Sequence, residues 1–477
     1  MEYNKTLQNW KKKELIASDL VNISNKILID KGVELVFLRK HLTDKNSSEI
    51  LNFHDYGNKI HASKLNIQNS LKIAKHIYEE ELNPAKIDIG RIQLEYLNKK
   101  NKKSIESYTN EKIRDFLKNK YNFSMKPKDV ILFGFGRIGR LAARELIKQA
   151  GKGQQLRLRA IVIRNVNKDN IEKRKNLLEH DSVHGYFKAN IQVNYKRNEL
   201  IIDGQIVKII ESSDKIDYTK HEINNSLLID NTGAFRDKKS LNKHLKCKGV
   251  SQVILTAPGK EIPNIVYGIN EDTIDIKNNK IVSAASCTTN AIAPVLKIIN
   301  DKFKIKQGHL ETIHAYTNDQ NLLDNMHKKN RRGRSAAINM VLTSTGAGKA
   351  VSKVIPELKD KLTANAVRVP TPNGSIAIIS MSIGKKVDKE ILNNEIKKAA
   401  SFGKLVNQIH YSINNELVSS DIIGNSCCAV FDSHATTVSK SGKEIVIYVW
   451  YDNEYGYTKQ VLRLSKFISK VRRLTYY

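Results

Sequence analysis

The sequence predicts an α/β protein. A doubly wound parallel sheet is preceded by a mostly helical N-terminal extension and followed by an α+β domain with a mostly antiparallel sheet. Three observations carry this. From Asp129 onward short apolar runs alternate with glycine turns and helical segments, the pattern of a parallel sheet covered on both faces. After Cys287 the apolar runs lengthen, as in Ile376 to Ile379 and Glu444 to Trp450, which suits antiparallel strands. Before Asp129, residues 1–125 hold a single proline, Pro84, and apolar residues at helical spacing.

Taken in order, Leu71, Ala74, Ile77 and Tyr78 mark one helical face in the extension, and Ile113, Phe116, Leu117 and Tyr121 another. A short apolar run, Val33 to Leu38, is the only strand-like stretch there. A linker at Ser124-Met125-Lys126-Pro127-Lys128 closes it. Val130-Ile131-Leu132-Phe133 reads as a buried strand, Leu141 to Lys148 as a helix and Ala160 to Ile163 as the second strand. Leu227-Leu228-Ile229 and Val253-Ile254-Leu255 are further short strands. The expected divisions are 1–125 for the extension, 126–285 for a nucleotide-binding domain, 286–452 for a catalytic domain, and 453–477 for a helix returning to the second of these.

Length and composition fit several domains with a sizeable core: 477 residues, 40% hydrophobic. No run approaches the roughly 18 consecutive apolar residues of a membrane helix, and no secretory signal is visible at the start, so a cytoplasmic protein without membrane association is expected. The four cysteines, Cys247, Cys287, Cys427 and Cys428, lack metal-site spacing, and neither a disulfide framework nor a bound metal is suggested. A net charge of +31 could draw anionic ligands. Residues 1–128 carry 25 Lys+Arg against 16 Asp+Glu, so the excess is spread along the chain and not gathered into a nucleic-acid-binding arm.

Two motifs carry chemistry. Gly134-Phe135-Gly136-Arg137-Ile138-Gly139 follows a strand and opens a helix. Glycines there let backbone N–H groups approach a pyrophosphate at the helix N-terminus, the arrangement of a Rossmann-type dinucleotide site. The second strand ends Ile163-Arg164-Asn165-Val166 with no carboxylate for a ribose 2′-hydroxyl, which predicts tolerance of NADP alongside NAD. The second motif is Ser286-Cys287-Thr288-Thr289-Asn290 at the start of a helical run. The positive field of a helix N-terminus lowers a thiol's pKa, which would favour a nucleophilic thiolate at Cys287. His314, at the end of a predicted strand, is the candidate base.

These motifs, with Asp181-Ser182-Val183-His184-Gly185, His314-Ala315-Tyr316-Thr317-Asn318-Asp319-Gln320, Ser344-Thr345-Gly346-Ala347, Arg368-Val369-Pro370-Thr371-Pro372-Asn373 and Trp450 to Gly456, closely resemble the phosphorylating glyceraldehyde-3-phosphate dehydrogenases from about Val130 to Ser469. The first 125 residues lie outside that pattern.

The resemblance implies that Cys287 attacks the aldehyde carbon of glyceraldehyde 3-phosphate and that His314 takes the proton as hydride leaves. Inorganic phosphate then attacks the resulting thioester to release 1,3-bisphosphoglycerate. It implies a substrate-phosphate pocket at Thr317 and Arg368, and an attacking-phosphate site at Ser286, Thr288, Thr345, Gly346 and Arg334. NAD or NADP would be held by Gly134, Gly136, Arg137, Ile138, Gly139, Asn165, Thr232, Gly233, Thr256 and Asn453, and the assembly would be a homotetramer. The sequence departs from the family at the second strand's missing acid. It also departs at Asp324-Asn325-Met326-His327, where strictly NAD-using members tend to have Leu-Pro before the histidine, and at Ala284 and Ala291. Erythrose-4-phosphate dehydrogenase shares the cysteine, histidine and fold, but Ser344-Thr345-Gly346 argues for the triose enzyme. An RNA- or partner-binding protein retaining the enzyme fold is the alternative of another class, and the intact Cys287–His314 pair speaks against it.

Overall fold

A computed structural model describes every residue except Met1, 100–102, Tyr121, Asn122, Ser124, Lys152 and Ser344. Tyr121 of the second helical face, Ser124 of the linker and Ser344 of the glycine-rich turn thus lie outside the described residues. The chain forms two compact units. One comprises Met1–Pro127, Ala150–Gln155 and Val471–Tyr477, and the other Lys128–Gln149 and Leu156–Lys470.

The first unit contains helices α1 (Glu2–Lys26), α2 (Ser47–His61), α3 (Ile67–Glu79), α4 (Ile89–Asn98) and α5 (Ile105–Ile113) and strands β1 (Glu34–Phe37), β2 (Lys40–His41) and β3 (Ala85–Asp88). Local signals start the helices. Asn46 and Glu49 form a reciprocal capping box on α2, and the Asn66 side chain accepts from the Asn69 N–H to cap α3. On α3, Ile67, Ser70, Ile73, Ala74 and Ile77 are buried; of the face the sequence predicts, Ala74 and Ile77 are among them, while Leu71 and Tyr78 are partly buried against the same core. The helical expectation for this segment holds, and the strand-like run at Val33 to Leu38 supplies β1.

The second unit holds two large sheets. Strands β4 (Lys128–Phe133) and β5 (Leu156–Ile163) flank helix α6 (Arg137–Lys148) in the chain. Helix α7 (Lys168–Glu179) and the short hairpin β6 (His180–Asp181) and β7 (Gly185–Tyr186) follow, then β8 (Ile191–Asn194), β9 (Glu199–Ile202) and β10 (Gln205–Glu211). Strand β11 (Ser226–Asp230), helix α8 (Lys238–Leu245), β12 (Val250–Leu255) and β13 (Ile281–Ser283) complete an eight-stranded sheet ordered β13-β12-β11-β4-β5-β10-β9-β8. All its pairs from β13 to β10 are parallel. The strands buried on both faces, such as Val130-Ile131-Leu132, read as the uninterrupted apolar runs seen in the sequence.

Helix α9 (Cys287–Phe303) leads into β14 (Ile305–Ala315), β15 (Val341–Thr343), α10 (Ala347–Val354), β16 (Leu362–Val369), β17 (Ser375–Ile383) and α11 (Lys389–Ser401). Then come β18 (Ile409–Ser412), β19 (Ala429–Asp432), β20 (Thr437–Val438), β21 (Glu444–Tyr451) and α12 (Tyr455–Ile468). The second sheet runs β15-β16-β14-β17-β21-β19-β18, with β20 on β21. Most of its pairs are antiparallel, but β14 with β16 and β18 with β19 run parallel. Pro294 inside α9 withholds the N–H that the Asn290 carbonyl would otherwise receive, and the Cys428 thiol donates to that carbonyl at 3.1 Å instead.

Helix α12 returns to the nucleotide-binding side: the Lys459 ammonium and the Tyr455 hydroxyl bond the Glu145 carboxylate on α6. The last residues do not follow that helix. Strand β22 (Leu474–Tyr476) pairs in parallel with β3, Leu474 opposite Ala85, and completes a four-stranded sheet β2-β1-β3-β22 in the first unit. The expected 453–477 segment is therefore divided, because β3 offers backbone groups that a three-residue strand cannot satisfy alone. Among the described residues no helix is long and apolar enough to cross a membrane.

Candidate active site

Ser286 caps α9, its hydroxyl accepting from the Thr289 N–H, and so sets Cys287 as the first helical residue. Just before the cap, Ala285 adopts φ +55°, a left-handed conformation strained for a non-glycine residue. Its carbonyl accepts from the Tyr457 hydroxyl at 2.8 Å, and the Asn290 amide donates to the carbonyls of Ala284 and Ser286. These contacts hold the turn that aims the thiol.

The Cys287 Sγ lies 3.5 Å from Nε2 of His314, which sits one residue before the end of β14. His314 Nδ1 is 2.6 Å from the carbonyl oxygen of Ala315. The same Nδ1 is 2.8 Å from Nη1 of Arg368, so it faces a carbonyl acceptor and a guanidinium donor together, while Nε2 faces the thiol. Burial pushes the imidazole down to about 3, with the Arg368 charge acting in the same direction. Burial also pushes the Cys287 thiol up, against the pull of Arg368. Burial of Cys287 thus opposes the helix field that favours a thiolate there, and Arg368 acts with that field.

Arg368 comes from the strand paired with β14. Parallel register puts Arg368 opposite His314, and its Nη1 donates to the Ala315 carbonyl at 2.8 Å. Burial pushes this guanidinium down from its ordinary range. A second arginine stands nearby, and it is not the one expected. The Arg334 side chain is 67% exposed and paired with Asp324. Arg332 is 11% exposed, its Nε and Nη2 donate to the Thr343 hydroxyl, and it is paired with Asp319. Burial and then the Arg368 charge push Arg332 down. Thr343 on β15 ties Arg332 beside β16, while the loop turns the expected Arg334 outward.

Other expected site residues are engaged locally. The Thr288 hydroxyl is buried against Tyr451 at 3.0 Å, and Tyr451 also meets Thr312 at 2.8 Å. The Ser286 hydroxyl is 2.7 Å from that of Thr289. Thr345 accepts from the Ala347 N–H at the start of α10, where Gly346 has open space on its side-chain face. Thr317 begins the turn that Gln320 N–H closes. Asn453 is buried, its Oδ1 accepting from Ser375, whose hydroxyl in turn accepts from the Ala315 N–H. Ser375 was not singled out by the sequence, yet it links Asn453 to the strand that carries His314.

At the nucleotide-binding end, Gly134 adopts φ +89°, and a Cβ there would meet Thr232 at 2.8 Å. A Cβ on Gly139 would lie 2.4 Å from the Gly134 carbonyl, so the helix needs glycine to approach the turn. Gly136, the N-cap of α6, has nothing within 4 Å of its would-be Cβ. The vacant space before a helix N-terminus fits a dinucleotide pyrophosphate. Ile138 follows on the first turn of α6. The Arg137 guanidinium is held by both oxygens of Glu454, with Asp181 adjoining, and His184 reaches the same glutamate at 2.9 Å. The Asp181–Gly185 motif therefore braces the turn. Thr232 bonds Asp230, Thr256 donates to the Asp230 carbonyl, and Gly233 adopts φ +66°. Asn165 is exposed at the second strand end, its Oδ1 accepting from Asn167. That end does not lack an acid. Glu211, last residue of β10, accepts from the Val166 N–H at 3.0 Å.

The family description of the glyceraldehyde 3-phosphate dehydrogenase NAD binding domain matches residues 128–238, and that of the C-terminal domain matches residues 286–453. A glyceraldehyde-3-phosphate dehydrogenase-like protein of Pseudomonas aeruginosa (strain UCBPP-PA14) is 45% identical over 407 residues, covering 85% of this chain and 88% of its own. That span is longer than the second unit, so the match reaches into the first. Glyceraldehyde-3-phosphate dehydrogenase of Priestia megaterium is 40% identical over 337 residues, 70% of this chain and 96% of that one. Glyceraldehyde-3-phosphate dehydrogenase 1 of Bacillus subtilis is 39% identical over 340 residues, 71% and 97%. With these matches, a glycine turn shaped for a dinucleotide and a cysteine facing an imidazole nitrogen, the chain belongs to the glyceraldehyde-3-phosphate dehydrogenase family.

Proposed function

We propose that the protein oxidises D-glyceraldehyde 3-phosphate reversibly to 1,3-bisphosphoglycerate, with inorganic phosphate as the second substrate. The observation that carries this is the 3.5 Å approach of Cys287 Sγ to Nε2 of His314, with Arg368 Nη1 2.8 Å from His314 Nδ1 and Arg332 near enough to Arg368 for their charges to interact.

Cys287 Sγ attacks the aldehyde carbon, and its proton passes to the new oxygen to give a thiohemiacetal. His314 Nε2 then takes the hydroxyl proton as the carbon is oxidised to a thioester. A bound nicotinamide dinucleotide supplies the oxidising power by accepting the hydride. The Cys287 backbone N–H and the imidazolium so formed stabilise the developing oxyanion. A phosphate oxygen attacks the acyl carbon, the C–S bond breaks, and His314 returns its proton to Sγ. The two arginines serve the two phosphoryl groups: Arg368 with Thr317 for the substrate's own, Arg332 with Ser286, Thr288, Thr345 and Gly346 for the attacking one. Guanidinium forks match phosphate oxygens. Gly134, Gly136 and Gly139 would admit the pyrophosphate. Arg137, Ile138, Asn165, Thr232, Gly233 and Thr256 would line the nucleotide, and Asn453 the carboxamide.

Assembly as a homotetramer belongs to the same proposal. The loop between β14 and β15 exposes Leu322, Leu323, Met326, Ile338 and Met340, each at least 69%, which suits contact with another copy. Steady-state turnover of glyceraldehyde 3-phosphate with and without phosphate tests the reaction. Phosphate-dependent reduction of the dinucleotide is expected, and phosphate-independent turnover would overturn it.

A further inference from the structure

The geometry points to Glu211 as the residue that makes this site select NAD over NADP. In a dinucleotide fold an acid at the end of the second strand accepts from the adenosine ribose hydroxyls and repels a 2′-phosphate. The second strand here, β5, ends in Ile163-Arg164-Asn165-Val166 and brings no acid of its own. The third parallel strand brings one. Register aligns Glu211 with Ile163, so both strands finish at the same level, and the Ser212 N–H donates to the Ile163 carbonyl at 2.8 Å. From there the Glu211 side chain reaches over the end of β5 to the Val166 N–H at 3.0 Å.

That contact engages one carboxylate oxygen, Oε2, and leaves Oε1 to accept from a ribose hydroxyl. The second strand end is also tied to the glycine turn, since the Gly134 N–H donates to the Val162 carbonyl at 3.1 Å. The Glu211 carboxylate therefore stands at the strand end that adjoins the glycine turn. Asn165, in the place an acid would occupy, is turned aside: its Oδ1 accepts from Asn167 at the start of α7. Two cations share the region. Arg174 donates to the Phe135 carbonyl at 3.4 Å on the glycine turn, and Arg164 is exposed. Arg174 is thus committed to the pyrophosphate side, whereas Glu211 is anchored by backbone at the ribose side. A 2′-phosphate would meet a fixed like charge there.

The inference rests on the dinucleotide site and not on the chemistry at Cys287, so binding to the full-length protein tests it without turnover. Calorimetric titration uses ADP-ribose and its 2′-phosphorylated form. The wild type should bind ADP-ribose at least about ten-fold more tightly. Glu211→Gln, which keeps an acceptor for the Val166 N–H, should narrow the ratio to within about three-fold. Adding Asn165→Asp to that variant should restore the preference, which also shows that the site remains folded. Equal binding of both ligands by the wild type, or an unchanged ratio in Glu211→Gln, would overturn the assignment of Glu211. Failure of the wild type to bind either would remove the dinucleotide reading itself, and the assignment with it.

Discussion

Arg332 and Arg334 differ by two positions and should differ sharply in function. The perturbation is Arg332→Gln beside Arg334→Gln, each nearly preserving length while removing charge. Arg332 is 11% exposed, anchored by Thr343 and close enough to feel Arg368. Two half-buried guanidinium groups with like charge are stabilised by an anion between them, which is the role proposed for phosphate. A charge-assisted contact of this kind contributes about 1.5–3 kcal/mol. At about 1.4 kcal/mol per factor of ten, Arg332→Gln should raise the KM for inorganic phosphate roughly 10- to 150-fold. Relief of the repulsion with Arg368 places the result toward the lower end. Arg334 is 67% exposed and paired with an exposed Asp324, so its removal should leave that KM within about two-fold. The assay is initial-rate kinetics with phosphate varied at saturating aldehyde and dinucleotide. A larger effect from Arg334→Gln than from Arg332→Gln would refute the reasoning.

Removing His314 should slow oxidation by roughly 10²–10⁴-fold, as expected for a general base, and wild-type turnover in His314→Asn would contradict that role. Because burial raises the Cys287 thiol and Arg368 opposes this, Arg368→Gln should shift iodoacetamide alkylation of Cys287 to higher pH, and an unmoved profile would contradict the link. His54 in the first unit is buried with its imidazole pushed down from 6.5 to about 4, chiefly by burial. The unfolded chain therefore takes up the proton first. Stability present above about pH 6.5 should fall by roughly 3 kcal/mol as pH drops through about 4, read by hydrogen exchange of first-unit amides. Flat protection across that range would count against it. Deleting residues 1–127 together with 471–477 should leave activity in the second unit, while inactivity of a soluble, folded product would show that the first unit contributes to the site.

How much of this was legible in the sequence follows from how local each feature is. The glycine turn and the helix start at Cys287 are specified by residues a few positions apart, and both read correctly. His314 read correctly as the end of a strand. Its partner Arg368 lies on another strand, and only the parallel register of β14 with β16 joins them. Arg332 and Arg334 are indistinguishable by residue type, and the irregular loop that turns one inward has no periodicity to read. The acid at the second strand end was missed because it comes from β10, beyond an intervening helix and two hairpins. The tail strand Leu474–Tyr476 is too short to declare itself without β3. The thiolate expectation considered the helix field, which sequence reveals, without the burial, which it does not.

The proposed chemistry requires a phosphate-cleavable acyl group on Cys287. Intact-protein and peptide mass spectrometry detects it after mixing the enzyme with glyceraldehyde 3-phosphate and NAD, first without phosphate and then with it. One phosphoglyceroyl group per chain is expected on the peptide bearing Cys287, lost as 1,3-bisphosphoglycerate when phosphate is added. An acyl group on another residue, or turnover without acylated Cys287, would contradict it.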